Sequence, residues 1–316
     1  MRSKAFASPL PALLLALLPA AVSGQETERL AVYVLDIEKA EVQQVAAEPL
    51  EGLAYCGSPE WSYDGKRIVL DASPGKQFNK THVLAADCPI TNQTKFVDLG
   101  PGNCPTWSPD AKQIAFLLNS GAVAGATPGI WIMNADGQGR RHLGGGGVPQ
   151  WSPDGKTILT SSFSNPTELA ILDVATGDEH AITLKDHVFY SVPNWANDSQ
   201  TLIAVIRAEG PQMIALVDVA DPAAAKVKEV LWTRGQGISA EPMYPTYSAA
   251  TKRVAFAGRT PNGSSLYLLE SRTSFTPKPL EPDRYDAKIA SLAISPEGRH
   301  LLFCSDREMD PPNNAD

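Results

Sequence analysis

Long apolar runs are scarce in this chain of 316 residues. The one near the start, Pro11 to Val22, is too short to cross a bilayer, which takes roughly 20 residues. Positive charge is also short. Lys and Arg number 27 against 35 Asp and Glu, a net charge of −8. That balance argues against nucleic acid and anionic membrane as partners, since both select basic patches. The one basic cluster, Arg140-Arg141-His142, lies in strand-like sequence and reads as a solvated edge. Cysteine is limited to Cys56, Cys88, Cys104 and Cys304, with no C-x-x-C, and the five histidines form no H-x-x-x-H. Zinc-type spacing is therefore missing. So is an Asp-rich calcium loop, and no metal or cofactor is expected. No G-x-S-x-G occurs, so there is no nucleophile elbow. The chain reads as a non-enzyme.

What is present begins with the N-terminus. Arg2 and Lys4 precede the apolar run, and Val22-Ser23-Gly24 offers small residues for cleavage before Gln25. Residues 1–24 read as a secretory signal peptide. Its removal leaves 25 basic and 35 acidic residues, a net charge of −10. The exported chain is expected in the periplasm or outside the cell, with no integral membrane segment. Residues 25–308 read as one domain and 309–316 as a polar tail.

One phrase returns through that domain. Its fullest copy is Val148-Pro149-Gln150-Trp151-Ser152-Pro153-Asp154-Gly155-Lys156-Thr157-Ile158. Copies centre on Trp61, Trp107, Trp151, Trp195, Tyr247 and Ile294, at spacings of 46, 44, 44, 52 and 47 residues. Self-similarity at about 40–50 residues signals a propeller or another repeat array. Within a copy, Trp151 ends one strand, Ser152-Pro153-Asp154-Gly155 turns the chain, and Thr157 to Thr160 returns. Pro favours the second position of such a turn, and Gly tolerates left-handed geometry. Leu169 to Asp173 and Ala181 to Leu184 supply a third and a fourth strand. Four antiparallel strands make one propeller blade.

The register is offset at the ends. A third-strand pattern, Tyr33 to Asp36, opens the domain without an anchor phrase before it. An anchor phrase around Ile294 closes it without a third strand after it. Ring closure resolves both: the C-terminal pair forms the inner half of blade six, and Ala31 to Val45 forms the outer half. The expected fold is all-β, a six-bladed propeller of four-stranded antiparallel blades. The anchors are expected to fill the spaces between blades. The prolines two residues before five anchors are expected at strand starts, where a ladder donor can be missing. Ala111, Ser199 and Thr251 replace the turn glycine, and those turns are expected to differ in shape or mobility.

The phrase P-x-W-S-P-D-G-K, followed by a strand ending in Asp, resembles the repeat of the TolB family. The resemblance spans nearly all of residues 31–304. It implies a propeller that binds an envelope protein. The chain looks like a stand-alone TolB-type propeller without the N-terminal α/β domain that TolB carries.

Blade geometry puts both tight turns of each blade on one rim and the longer connections on the other. Function on a rigid scaffold usually resides on such loops. The most polar and aromatic loops contain His187, Tyr190, Arg234, Glu241, Tyr244, Arg284, Tyr285 and Asp286. These are the candidate binding residues, expected to converge near the channel mouth on blades four to six. Tyr and Arg are favoured interface anchors. The leading expectation is a monomeric scaffold that binds an envelope or extracellular protein. Two alternatives stay open: a lactonase-type enzyme using the central channel, or a carbohydrate-binding propeller. A lactonase would need a ring of Asp, Glu, Asn or His in the channel, and the loop segments yield none. Export also favours disulfides. Cys56–Cys304 would lock the ring closure, leaving Cys88 and Cys104 to pair.

Overall fold

The computed structural model describes residues 29–308, apart from 162–167, 197, 271–275, 283 and 287. The expected signal peptide and the polar tail lie outside the described residues. Each repeat folds as one antiparallel sheet, and six sheets form a ring. In blade 1 the strands are Tyr55–Trp61, Arg67–Ser73, His82–Asp87 and Val97–Pro101, in order from the channel outward. The innermost strands of blades 2 to 5 contain Asn103–Trp107, Val148–Trp151, Asn194–Trp195 and Glu241–Ser248. Blade 6 closes the ring as expected. Ile289–Ile294 and His300–Ser305 form its inner half, Ala31–Asp36 and Glu41–Ala46 its outer half. Val34 faces Leu302 in that register.

Six apolar clusters lie at the six seams between neighbouring blades, and each includes one anchor. Trp107, fully buried, joins Val69 and Val83 of blade 1 to Ile114 and Phe116 of blade 2. Trp61 plays this part between blades 6 and 1, Trp151 between 2 and 3, and Trp195 between 3 and 4. Tyr247 and Ile294 complete the set. Two indoles also reach across a seam: Trp61 Nε1 donates to Ala293 O at 3.2 Å, and Trp195 Nε1 to Gln150 O at 3.1 Å.

The tight turn is held by its own side chains. Ser152 Oγ donates to Asp154 Oδ1 at 2.7 Å and accepts from Thr157 N at 3.0 Å, while Gly155 takes φ 76°. Two expectations about the phrase need correction. Ala111 does not reshape its turn: it adopts φ 54°, and its N–H reaches Ser108 O at 2.8 Å, as Gly155 N reaches Ser152 O at 2.9 Å. Alanine has the smallest side chain that can be forced into the left-handed region, at a cost of about 1 kcal/mol. Thr251 does change its turn. The left-handed residue is now Lys252 (φ 58°), whose N–H bonds Ser248 O, one residue later than in the Gly copies. Pro193 directly precedes the strand Asn194–Trp195, as expected, but Pro59, Pro105, Pro149 and Pro245 lie inside their innermost strands. Those strands have only one paired edge. In blades 1, 2 and 5 the preceding residue (Ser58, Cys104 or Tyr244) takes a positive φ, and the register shifts there. A bulge therefore absorbs the missing donor.

All four cysteines are free thiols. The expected Cys56–Cys304 and Cys88–Cys104 bonds are absent from the structure. Cys56 and Cys304 do pack in the same apolar seam between blades 6 and 1.

Candidate functional site

The candidate residues divide among three places on the ring. The first is the junction of blades 4 and 5 on the rim of longer connections. Glu241 begins the innermost strand of blade 5, and its Oε1 accepts from the Tyr190 hydroxyl and, at 3.2 Å, from Gln212 Nε2. Gln212 Oε1 accepts from Arg234 Nη1 at 3.0 Å, and Arg234 Nε donates to Ser239 O at 3.0 Å. Tyr190, Glu241 and Arg234 thus meet through Gln212, a buried residue that the sequence reading did not single out. The Glu241 carboxylate raises the Tyr190 pKa, because it accepts the phenolic proton's hydrogen bond. Two more arginines border this network. The Arg207 guanidinium lies 5.4 Å from the Tyr190 ring centroid, and Arg259 Nη1 lies 3.8 Å from Glu241 Oε2. A pocket of about 370 Å³ opens between Arg207 and Arg234.

The second place is the seam between blades 5 and 6. Asp286, only 3% exposed, accepts at Oδ2 from Ser305 Oγ (2.8 Å) and from Arg307 Nε (2.9 Å) and Nη2 (2.7 Å). Its Oδ1 pairs with Arg284 Nε at 3.1 Å. Arg307 also forks onto Glu281, at 3.0 and 2.8 Å, and its guanidinium lies 4.7 Å from the Phe303 ring centroid. Tyr33 donates to Arg307 O at 2.6 Å, and burial pushes its pKa up to about 12. Arg284 and Asp286 therefore belong to an internal ion-pair network. Tyr285 beside them is 41% exposed.

The third place is the channel. Tyr244 lines its cavity on the loop side, of about 240 Å³. Its N–H is held by Ser191 Oγ at 2.9 Å. His187 stands apart from all three, with Nδ1 3.2 Å from Lys185 O. The eight candidates do not converge on one mouth. Three gather at the blade 4/5 junction, two are tied into the seam, and Tyr244 reaches the channel.

The channel also holds a polar ring that the loop segments did not yield. A second cavity, about 340 Å³, lies toward the tight turns. Both cavities share Glu60, Gln150, Asn194 and Ala293, which therefore form the waist. Thr106 and Thr246 occupy the same position in their repeats. Every one of these six directly precedes an anchor. Successive strand residues face opposite ways. The anchor enters the seam, so its predecessor faces the channel. A polar residue between Pro and the anchor in five repeats is the signal that would have found the ring. Glu60 is its one charged member. Oε1 accepts from Thr106 Oγ1 and Trp107 N, both at 3.0 Å. Burial nevertheless raises its pKa to about 7. Gln150 Oε1 is buried without a hydrogen-bond partner among the described residues. Nearby, burial and the Asp71 carboxylate push the Cys104 thiol well above its usual range, so it is a poor nucleophile at neutral pH. Among the described residues, no three His, Cys, Asp or Glu side chains are grouped to hold a metal ion.

This geometry recurs in solved structures. A protein from Agrobacterium tumefaciens assigned as TolB superposes with a TM-score of 0.64, covering 89% of this chain and 99% of that one at 18% identity. The fold is that of a TolB-type propeller. Kuenenia stuttgartiensis hydrazine synthase matches over 77% of this chain and 71% of that one, at 17% identity and a TM-score of 0.53. TolB from Acinetobacter baumannii matches over 88% of this chain and 63% of that one, at 16% identity and a TM-score of 0.49. No family profile matches the sequence, and no curated protein matches it. At such identities the likeness concerns the fold. Among the described residues of this TolB-type propeller, no helix is long and apolar enough to cross a membrane.

Proposed function

We propose that this TolB-type propeller is an exported, non-catalytic scaffold that holds another envelope or extracellular protein on its rim of longer connections. The observation that carries the reading is the junction of blades 4 and 5. There Arg207 and Arg259 are exposed beside Tyr190, while Gln212 and Glu241 fix the groups behind them. Arginine and tyrosine anchor protein interfaces more than most residues. The export reading rests on the Arg2/Lys4 start and the apolar run after it. Cys56 and Cys304 share one seam, and in an oxidising compartment they would be the pair to join.

The test is site-specific photo-crosslinking in the native envelope. A crosslinking residue at position 207 or 259 is expected to capture one dominant protein, and at Lys112 or Lys156 on the opposite rim to capture none. Equal capture from both rims, or capture from neither, would refute the scaffold reading.

A second reading, lactonase-type chemistry in the channel, is favoured by the polar waist around Glu60. Its test is a lactone screen in which any turnover must be lost in Glu60→Gln.

A further inference from the structure

We infer that the pocket between Arg207 and Arg234 binds carboxylates of an acidic peptide segment, an inference that rests on the loop rim being the protein-binding face. The argument begins with charge. The pocket is bounded by Arg207, Arg234, Gln212 and Ser239, with Gly210, Pro211 and Gly235. No carboxylate lines it among the described residues; Glu209, on the same turn, does not. Arg207 stacks on the Tyr190 ring, and Arg234 bonds only the neutral oxygens of Gln212 and Ser239. The half-buried Glu241 beside them is already engaged by Tyr190, Gln212 and Arg259. Among the described residues, two arginines thus line one pocket with no carboxylate in its walls, in a chain whose net charge is −8.

Geometry then selects the ligand. Phosphate sites commonly use a concave array of free backbone N–H groups. Here the N–H of Arg234 is taken by Gln212 O and that of Gly235 by Ile238 O, and Pro211 has none. The charged donors at the pocket are the guanidinium groups of Arg207 and Arg234, a group that matches carboxylates. The walls are open as well. A Cβ at Gly210 or Gly235 would meet nothing within 4 Å, so an extended chain can cross the pocket. The buried Gln212, bonded at both ends of its amide, holds Arg234 in place before any ligand arrives.

The probe is a fluorescein-labelled hexaglutamate peptide, followed by anisotropy on the purified chain at low salt, with hexaglutamine as control. Hexaglutamate is expected to bind and hexaglutamine is not. Arg207→Gln and Arg234→Gln should each weaken binding about tenfold, the size of one charge-assisted hydrogen bond. Lys156→Gln on the opposite rim should leave it unchanged. Inorganic phosphate should displace the peptide no better than chloride at equal ionic strength. If Arg234→Gln fails to fold, Arg207→Gln carries the test, since Arg207 is exposed and its side chain rests on the Tyr190 ring. Unchanged affinity in Arg207→Gln, or selective displacement by phosphate, overturns the inference. A rim crosslink without hexaglutamate binding overturns it alone, whereas loss of the rim crosslink overturns the scaffold reading beneath it.

Discussion

Replacing Glu60 by Gln should stabilise the propeller at alkaline pH and change little at acidic pH. The carboxyl pKa rises from its ordinary 4.5 to about 7 in the folded chain. The folded state therefore holds this proton more tightly than the unfolded state does. As pH climbs from about 4.5 to about 7, the unfolded chain loses the proton first, and folding stability drains away. The full penalty applies above pH 7. A shift of this size corresponds to about 3 kcal/mol. The side chain faces an open channel, which lowers the expected figure to about 1–3 kcal/mol. Gln cannot ionise, and its amide oxygen can still accept from Thr106 Oγ1 and Trp107 N, the two donors now on Oε1. Urea unfolding of both proteins between pH 5 and pH 8.5 measures the gap. It should widen with pH and level off above the folded pKa. A gap that stays constant, or a wild type more stable at pH 8.5, would refute the reasoning.

Asp286→Ala should cost about 3–5 kcal/mol, because it strips a carboxylate from the buried Arg307. Arg284→Ala, which removes a group 35% exposed, should cost under about 1 kcal/mol; thermal unfolding that ranks the two the other way would reverse the roles given to them. Lys252→Gly should stabilise by about 0.5–1 kcal/mol, since glycine adopts φ 58° without strain. A lower urea midpoint for Lys252→Gly would mean that the lysine side chain contributes more than the strain costs.

The fold was legible because its determinants are local and repeated. Trp61, Trp107, Trp151 and Trp195 mark the seams in the sequence itself, and the unmatched ends of the pattern imply the closure through Ala31–Asp36. The turn at Ala111 was misread because sequence gives the preference of a residue but not what its surroundings can impose. Ala111 is buried, and its carbonyl accepts from the Arg67 side chain. The site was legible only by region. Tyr190, Arg234 and Glu241 could be placed on one rim, but Gln212 joins them across blades, and no local pattern announces a hydrogen bond of that kind. The waist was legible in principle. Glu60, Thr106, Gln150, Asn194 and Thr246 share one repeat position, but attention to loops passed over a strand position.

The closure of blade 6 has a consequence for the order of assembly. Tyr33 bonds Arg307 across 274 positions of chain, and the strand holding Tyr33 pairs with His300–Ser305. Long-range pairing of this kind slows folding. As the chain leaves the ribosome or a translocation pore, Ala31–Asp36 must wait for His300–Ser305 before it has a neighbour on its inner side. Blades 1 to 5 are each drawn from contiguous sequence and can form as the chain arrives. Blade 6 cannot. The newborn ring is thus an incomplete arc with unpaired strand edges, and its exposure to self-association is set by the wait for His300–Ser305.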